Sequence, residues 1–222
     1  MILEIDNVEL YFKEKSILNG IYLKAETGKV TGILGSNGCG KSCLLNIAFG
    51  NLKAKYKLVR VDSKPILQPL YQTKIAALLP QSNFTPNSMT LKTAFKLFNL
   101  DWTDFSKKFS GLKINKNYKF IKLSGGERRL IETYIILKSD RNIIFLDEPF
   151  SHLAPLHIEA IKDIILEETR HKIILITDHM YRHIIDVSDN IYLLKNGCTK
   201  LINKLSELEN YRYLNFGSLD GS

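Results

Sequence analysis

Long hydrophobic runs are missing from this chain of 222 residues, and so is any pairing pattern of cysteines. No apolar stretch approaches the ~20 residues that a membrane-spanning helix needs, so the sequence predicts no transmembrane segment. Cys39, Cys43 and Cys198 have neither disulfide-framework nor zinc spacing, which fits a reducing, cytoplasmic compartment. Met1-Ile-Leu-Glu-Ile-Asp6 lacks the basic flank and cleavage pattern of a signal peptide. No internal repeat or low-complexity tract occurs. Acidic residues are scarcer than basic ones: 23 Asp and Glu against 31 Lys and Arg leave a net charge of +8. Such an excess can mark partners such as nucleic acid or an anionic membrane surface. No basic stripe interleaved with aromatics accompanies it, however, and the lysines read as scattered along the whole chain. Nucleic acid is therefore not expected as a partner. Hydrophobic residues at 45% and charged residues at 24% are ordinary for a soluble domain, and the length suits one large α/β domain with a small insert.

What is present starts at Gly35-Ser-Asn-Gly-Cys-Gly-Lys41-Ser42, a G-x-x-x-x-G-K-S phosphate-binding pattern. Lys29–Leu34 before it is a short apolar strand, and Cys43–Phe49 after it is apolar at helical spacing. Glycines let the backbone wrap an anion, and the helix N-terminus aims free N–H groups at it. Lys41 would reach the β- and γ-phosphates of a nucleotide, and the Ser42 hydroxyl would bind Mg²⁺.

The chain before this loop alternates apolar and polar residues over Leu3–Phe12 and offers a second strand at Ser16–Leu23. A further strand at Tyr56–Val61 is expected to end at Pro65, so a β-rich lobe brackets the loop. Ile75-Ala-Ala-Leu-Leu-Pro80 is an apolar strand with Gln81 just outside it. Residues 84–122 change character. Thr90 caps a predicted helix through Leu91, Phe95 and Phe98, a second short helix runs from Thr103 to Phe109, and Gly111–Phe120 is irregular. Phe84, Phe95, Phe98 and Trp102 suffice for an apolar groove or for this segment's own core. Ser124 caps an amphipathic helix to about Lys138. Asn142–Leu146, Lys172–Ile176 and Ile191–Leu194 read as buried strands separated by helices over Pro155–Arg170 and to about Val187. The Gly217–Ser222 tail is expected to fray. Strands alternating with helices imply a mainly parallel sheet covered on both faces, an α/β fold.

Ligands of such sheets bind at the carboxyl ends of the strands. The phosphate loop, Gln81, Asp147 with Glu148, and His179 all lie just past an apolar run. Asp147 is placed to hold Mg²⁺, Glu148 to polarise an attacking water, and His179 to donate to a γ-phosphate. Leu123-Ser-Gly-Gly-Glu127 opens a second helix N-terminus suited to phosphate, for which one copy of the chain offers no obvious second ligand.

These motifs, in this order, resemble the ATP-binding cassette (ABC) ATPases over nearly the whole chain: Walker A at Gly35–Ser42, the Q-loop at Gln81, the signature at Leu123–Glu127, Walker B with its glutamate at Asp147–Glu148, and the switch histidine His179. The resemblance implies a P-loop ATPase with an antiparallel β lobe, a catalytic core over 1–83 and 123–222, and an inserted helical subdomain over 84–122. It implies ATP and Mg²⁺ as ligands. Nucleotide contacts fall to Phe12 (on adenine, with Tyr11 as the alternative), Gly35, Ser36, Asn37, Gly38, Cys39, Gly40, Lys41, Ser42, Cys43, Gln81, Ser124, Gly125 and Gly126. Mg²⁺ falls to Ser42, Gln81 and Asp147, and catalysis to Glu148, His179 and Lys41. It further implies a second ATPase copy, a homodimer in preference to a heterodimer, whose Ser124 completes the site. A separate membrane permease would hold the pair on the cytoplasmic face of the membrane. The alternative is a soluble ABC protein acting on ribosomes, DNA or iron–sulfur assembly. Glu127-Arg128-Arg129 and Ile176–His179 are similar to the ATPases of lipopolysaccharide export and branched-chain amino-acid uptake. The chain departs from the family at Cys43, where threonine is usual, and at Ala154, where the S-x-L-D loop has aspartate. Cys39 and Cys43, at a helix N-terminus, are expected to have lowered thiol pKa values.

Overall fold

The computed structural model describes residues 1–218; the expected fraying of the tail falls in large part on 219–222, outside the described residues. The chain opens with β1 (Ile2–Phe12) and β2 (Lys15–Glu26), an antiparallel pair. Leu3 and Ile5 are buried on odd positions, but Val8 and Leu10 on even ones. The phase flips at Asn7, which takes φ 49° where the register with β2 shifts, so a bulge keeps both pairs facing inward.

β3 (Val30–Leu34) runs into the phosphate loop and α1 (Lys41–Phe49). β4 (Tyr56–Val61) joins β1, and β5 (Lys64–Pro65) joins β4 through Asp62 and Ser63, both at positive φ. Pro65 therefore does not simply end the strand; it sits on the far arm of a tight hairpin, at a sheet edge where its missing N–H costs nothing. This first sheet has the order β2-β1-β4-β5.

β6 (Ala76–Leu79) precedes α2 (Leu91–Leu97) and α3 (Trp102–Lys108), and α4 (Gly125–Lys138) leads to β7 (Ile143–Asp147). Next come α5 (Pro155–Thr169), β8 (Ile173–Thr177), α6 (Tyr181–Val187) and β9 (Asn190–Lys195). β10 (Cys198–Ile202) and α7 (Ser206–Asn210) are the last elements among the described residues. The second sheet has the order β10-β9-β3-β8-β7-β6, parallel throughout except for the antiparallel edge strand β10.

β3, β7 and β8 are buried at every residue, and their side chains alternate between two cores. Ile143, Phe145, Ile173 and Leu175 pack with α1 and the first sheet. Ile144, Leu146, Ile174 and Ile176 pack with α4 and α5. Covering both faces explains why these strands read as unbroken apolar runs rather than as alternation.

Between β6 and α4, Thr90 caps α2 and Asp101 caps α3. Phe95 is buried against Trp102, Phe105 and Tyr134, with ring centroids 5.1, 5.5 and 5.9 Å away. Phe84, Phe98 and Trp102 are partly buried against the same cluster, which reaches into α4 at Tyr134. Phe95 and Trp102 also line a surface groove with Leu100, so these aromatics serve both a core and a groove. The lysines are not evenly scattered: residues 84–122 hold eight Lys against two Asp, and all eight are exposed. Most of the net charge of +8 sits on this one segment.

Candidate functional site

β3 delivers the phosphate loop at the carboxyl edge of the parallel sheet. Gly38 and Gly40 have φ of 78° and 110°, left-handed conformations that a side chain would strain. A Cβ at Gly35 would stand 2.6 Å from both Cys39 Sγ and Leu194 O, so the loop must enter there without one. Lys41 is buried, and its ammonium donates to Gly35 O at 2.7 Å and Ser36 O at 3.2 Å. The loop's own carbonyls thus fix the lysine over the turn.

β7 brings Asp147 beside the loop, where Ser42 Oγ donates to its Oδ1 at 3.1 Å. Asp147 is almost fully buried, and its Oδ2 has no hydrogen-bond partner. Burial pushes its carboxyl up to about 6; the Glu148 carboxylate adds to this, while Ser42, Arg129 and Lys41 oppose it. A buried carboxylate oxygen without a donor, next to a hydroxyl, is a donor set suited to a hard divalent cation. Magnesium therefore fits the residues present.

Glu148, at φ 56°, leaves the strand in a left-handed turn and accepts from Ser151 Oγ at 3.2 Å. β8 delivers Asp178 and His179. Asp178 is buried and accepts from the N–H groups of Met180 and Phe150, at 2.9 and 3.1 Å. Burial still dominates and raises its carboxyl pKa. His179 Nδ1 lies 3.2 Å from Asp178 Oδ1 and 3.5 Å from Glu148 Oε2, which leaves its Nε2 for another partner.

One cavity of about 630 Å³ is lined by Phe12, Asn37, Gly38, Gly40, Lys41, Ser42, Cys43, Gln81, Glu148 and His179, among others. Residues just past the ends of β3, β6, β7 and β8 thereby meet in one place, with Phe12 from the end of β1. Phe12 is half-exposed at its mouth, while Tyr11 stands under the Lys55 ammonium at 5.2 Å and does not line it. Ser124, Gly125 and Gly126 do not line this cavity either. They open α4, where Ser124 Oγ accepts from Glu127 N at 3.2 Å and Glu127 Oε2 accepts from Ser124 N at 2.8 Å. This reciprocal capping box holds the signature turn rigid.

The thiols do not follow the expectation from their place at a helix N-terminus. Burial raises the pKa of Cys39 despite Lys41 and nearby N–H groups, and burial with the Asp147 carboxylate raises that of Cys43. Desolvation of the thiolate outweighs the helix end here. Two polar residues of the site escaped sequence reasoning. Asp178 was visible only as the neighbour of His179. Arg129 sits buried in α4, and its signal was a charged residue in the arc of the helix that the apolar residues occupy.

A glycine-rich strand-to-helix loop beside a buried acid, at the carboxyl edge of a parallel sheet, defines a P-loop nucleotide-binding protein. The ABC transporter family profile matches residues 18–151. A protein of Archaeoglobus fulgidus named for branched-chain amino acid transport, the ATP-binding protein LivF, is 30% identical, covering 94% of this chain and 96% of its own. The lipopolysaccharide export ATP-binding protein LptB of Haemophilus influenzae is 27% identical, with 88% of each chain covered. The solved structure of a nucleotide-free ATP-binding cassette from an ABC transporter superposes with a TM-score of 0.76 at 26% identity, over 96% of both chains. An ATP-binding subunit of an ABC transporter superposes with a TM-score of 0.81 over 99% of this chain and 97% of its own, at 19% identity. The chain belongs to the ABC transporter family of ATPases.

Proposed function

We propose that this chain is the ATP-hydrolysing subunit of a membrane transporter, working as a head-to-tail pair of copies beside a separate permease on the cytoplasmic face of the membrane. The observation that carries this reading is the cavity that gathers Lys41, Ser42, Glu148 and His179 while the capped signature turn of the same chain stands outside it. A second copy would supply Ser124, Gly125 and Gly126 to a γ-phosphate held by the first.

In this reading the loop N–H groups from Gly35 to Cys43 and the Lys41 ammonium hold the phosphates, and Phe12 stacks on adenine. Ser42, Asp147 and Gln81 would hold Mg²⁺, which supplies charge neutralisation at the β- and γ-phosphates. Glu148 accepts the proton of the attacking water as that oxygen bonds to Pγ and the bond to the β-phosphate oxygen breaks. His179, turned by Asp178 and Glu148 through Nδ1, donates from Nε2 to the γ-phosphate. A positioned general base contributes about 10²–10⁴-fold in rate. Residues 1–83 with 123–222 act as the catalytic body and 84–122 as the inserted helical subdomain.

Glu148→Gln tests the reading. ATP turnover should fall by at least about a hundredfold, while the variant runs as an ATP-dependent dimer on gel filtration. Wild-type turnover by a variant that stays monomeric in ATP would sink both the base and the shared site.

A further inference from the structure

Arg129 is 3% exposed, which is rare for an arginine without a paired acid. Its guanidinium makes no salt bridge among the described residues and is spent on main-chain carbonyls instead. Nη1 donates to Pro80 O at 2.7 Å, Nε to Glu148 O at 3.1 Å, and Nη2 to Glu148 O at 2.9 Å and to Asp147 O. Those carbonyls belong to the residue before Gln81 and to the two acids at the end of β7. Glu148 is the residue in most need of support. A left-handed conformation at a non-glycine costs on the order of 1–3 kcal/mol and persists only where the surroundings over-determine it. Here the Glu148 N–H donates to Thr177 O at 2.7 Å, Ser151 fixes the carboxylate, and Arg129 takes the carbonyl from two of its nitrogens. Arg129 is also the fifth residue of α4, on the helix whose capped first turn is the signature.

We propose that Arg129 is a positioning residue: its planar fork holds the Glu148 backbone in the left-handed turn and locks that turn to the signature helix and to the root of the Gln81 loop. A movement of α4 felt at Ser124 is then carried to both Glu148 and Gln81 through one side chain. The inference rests on the reading of Glu148 as the general base. The competing role is simple charge balance: burial lowers the Arg129 pKa, and Glu132, Asp147, Asp178 and Glu148 oppose that shift. Lysine separates the two, because it keeps the charge but loses the fork that spans three carbonyls.

The experiment measures ATP turnover and fluorescent ATP-analogue binding for the full chain, Arg129→Lys and Arg129→Gln, with melting temperatures alongside. Misplacing a catalytic group by about 1 Å costs on the order of 10²-fold. Arg129→Lys should therefore lose at least about tenfold in kcat while nucleotide affinity stays within about threefold of wild type. Arg129→Gln should lose as much or more. Full turnover by Arg129→Lys would overturn the positioning role in favour of charge balance. Loss of kcat in step with nucleotide affinity, or failure of both variants to fold, would assign Arg129 to the fold and also overturn it. A wild-type chain without turnover would instead contradict the proposed function, so the two failures are distinguishable.

Discussion

Asp147 carries a cost that the fold accepts. The unfolded chain releases this proton near 3.8 and the folded chain near about 6, so the folded state binds more protons between those values. The contribution is fully present at low pH and is lost as pH rises through about 6, after which the buried anion costs on the order of 3 kcal/mol. Asp147→Asn removes the charge while keeping the shape. Measured by thermal melting in EDTA, the variant should be more stable than the parent at pH 8 by several degrees, about 2–4 °C per kcal/mol at this size. The gain should shrink at pH 5. A gain that is larger at pH 5 than at pH 8, or a loss at pH 8, would contradict the assignment. Its ATP turnover should be lost, since the same oxygen is the proposed Mg²⁺ ligand. The residue that costs stability is the one the chemistry needs.

Helix caps show which elements the sequence announces. Ser124 with Glu127, and Thr90 ahead of Leu91, are polar N-caps before apolar spacing, and α4 and α2 start where those residues predict. α5 starts without such a signal: its N-cap is Ala154, which makes no side-chain cap bond, and Pro155 fixes the first turn instead. The aspartate usual at this position in the family would be both a link between sites and a helix cap. Ala154→Asp should therefore stabilise the chain by about 1 kcal/mol, read as a rise in melting temperature of about 2–4 °C. A fall would show that the carboxylate meets an unfavourable field there. β10 and α7 went unseen because an exposed edge strand carries little apolar alternation, and a helix of five residues has no room for a period. Asn7 was hidden too, since a bulge is a change of phase rather than a residue type. Arg129 was readable as a sequence anomaly, but its carbonyl partners lie 49, 19 and 18 residues away and only the fold brings them together.

At the scale of the molecule, the parallel sheet does the gathering. β3, β6, β7 and β8 end on one edge, so the phosphate loop, Gln81, Asp147–Glu148 and His179 converge although they span much of the chain. That convergence was legible because buried parallel strands announce their carboxyl ends. The placement of Ser124 outside the cavity follows from where α4 starts, and it leaves the signature facing something other than its own phosphate loop. The central claim is that this something is a second copy. Lys41→Ala lacks a working phosphate loop but keeps its signature; Ser124→Arg keeps the loop but blocks the signature. Each alone should be inactive. Mixed in equal amounts, they should regain turnover, up to about a quarter of the wild-type rate for random pairing of copies, because half the dimers then hold one intact shared site. A mixture as inactive as its components would contradict the shared site and with it the account of this chain as half of a paired ATPase.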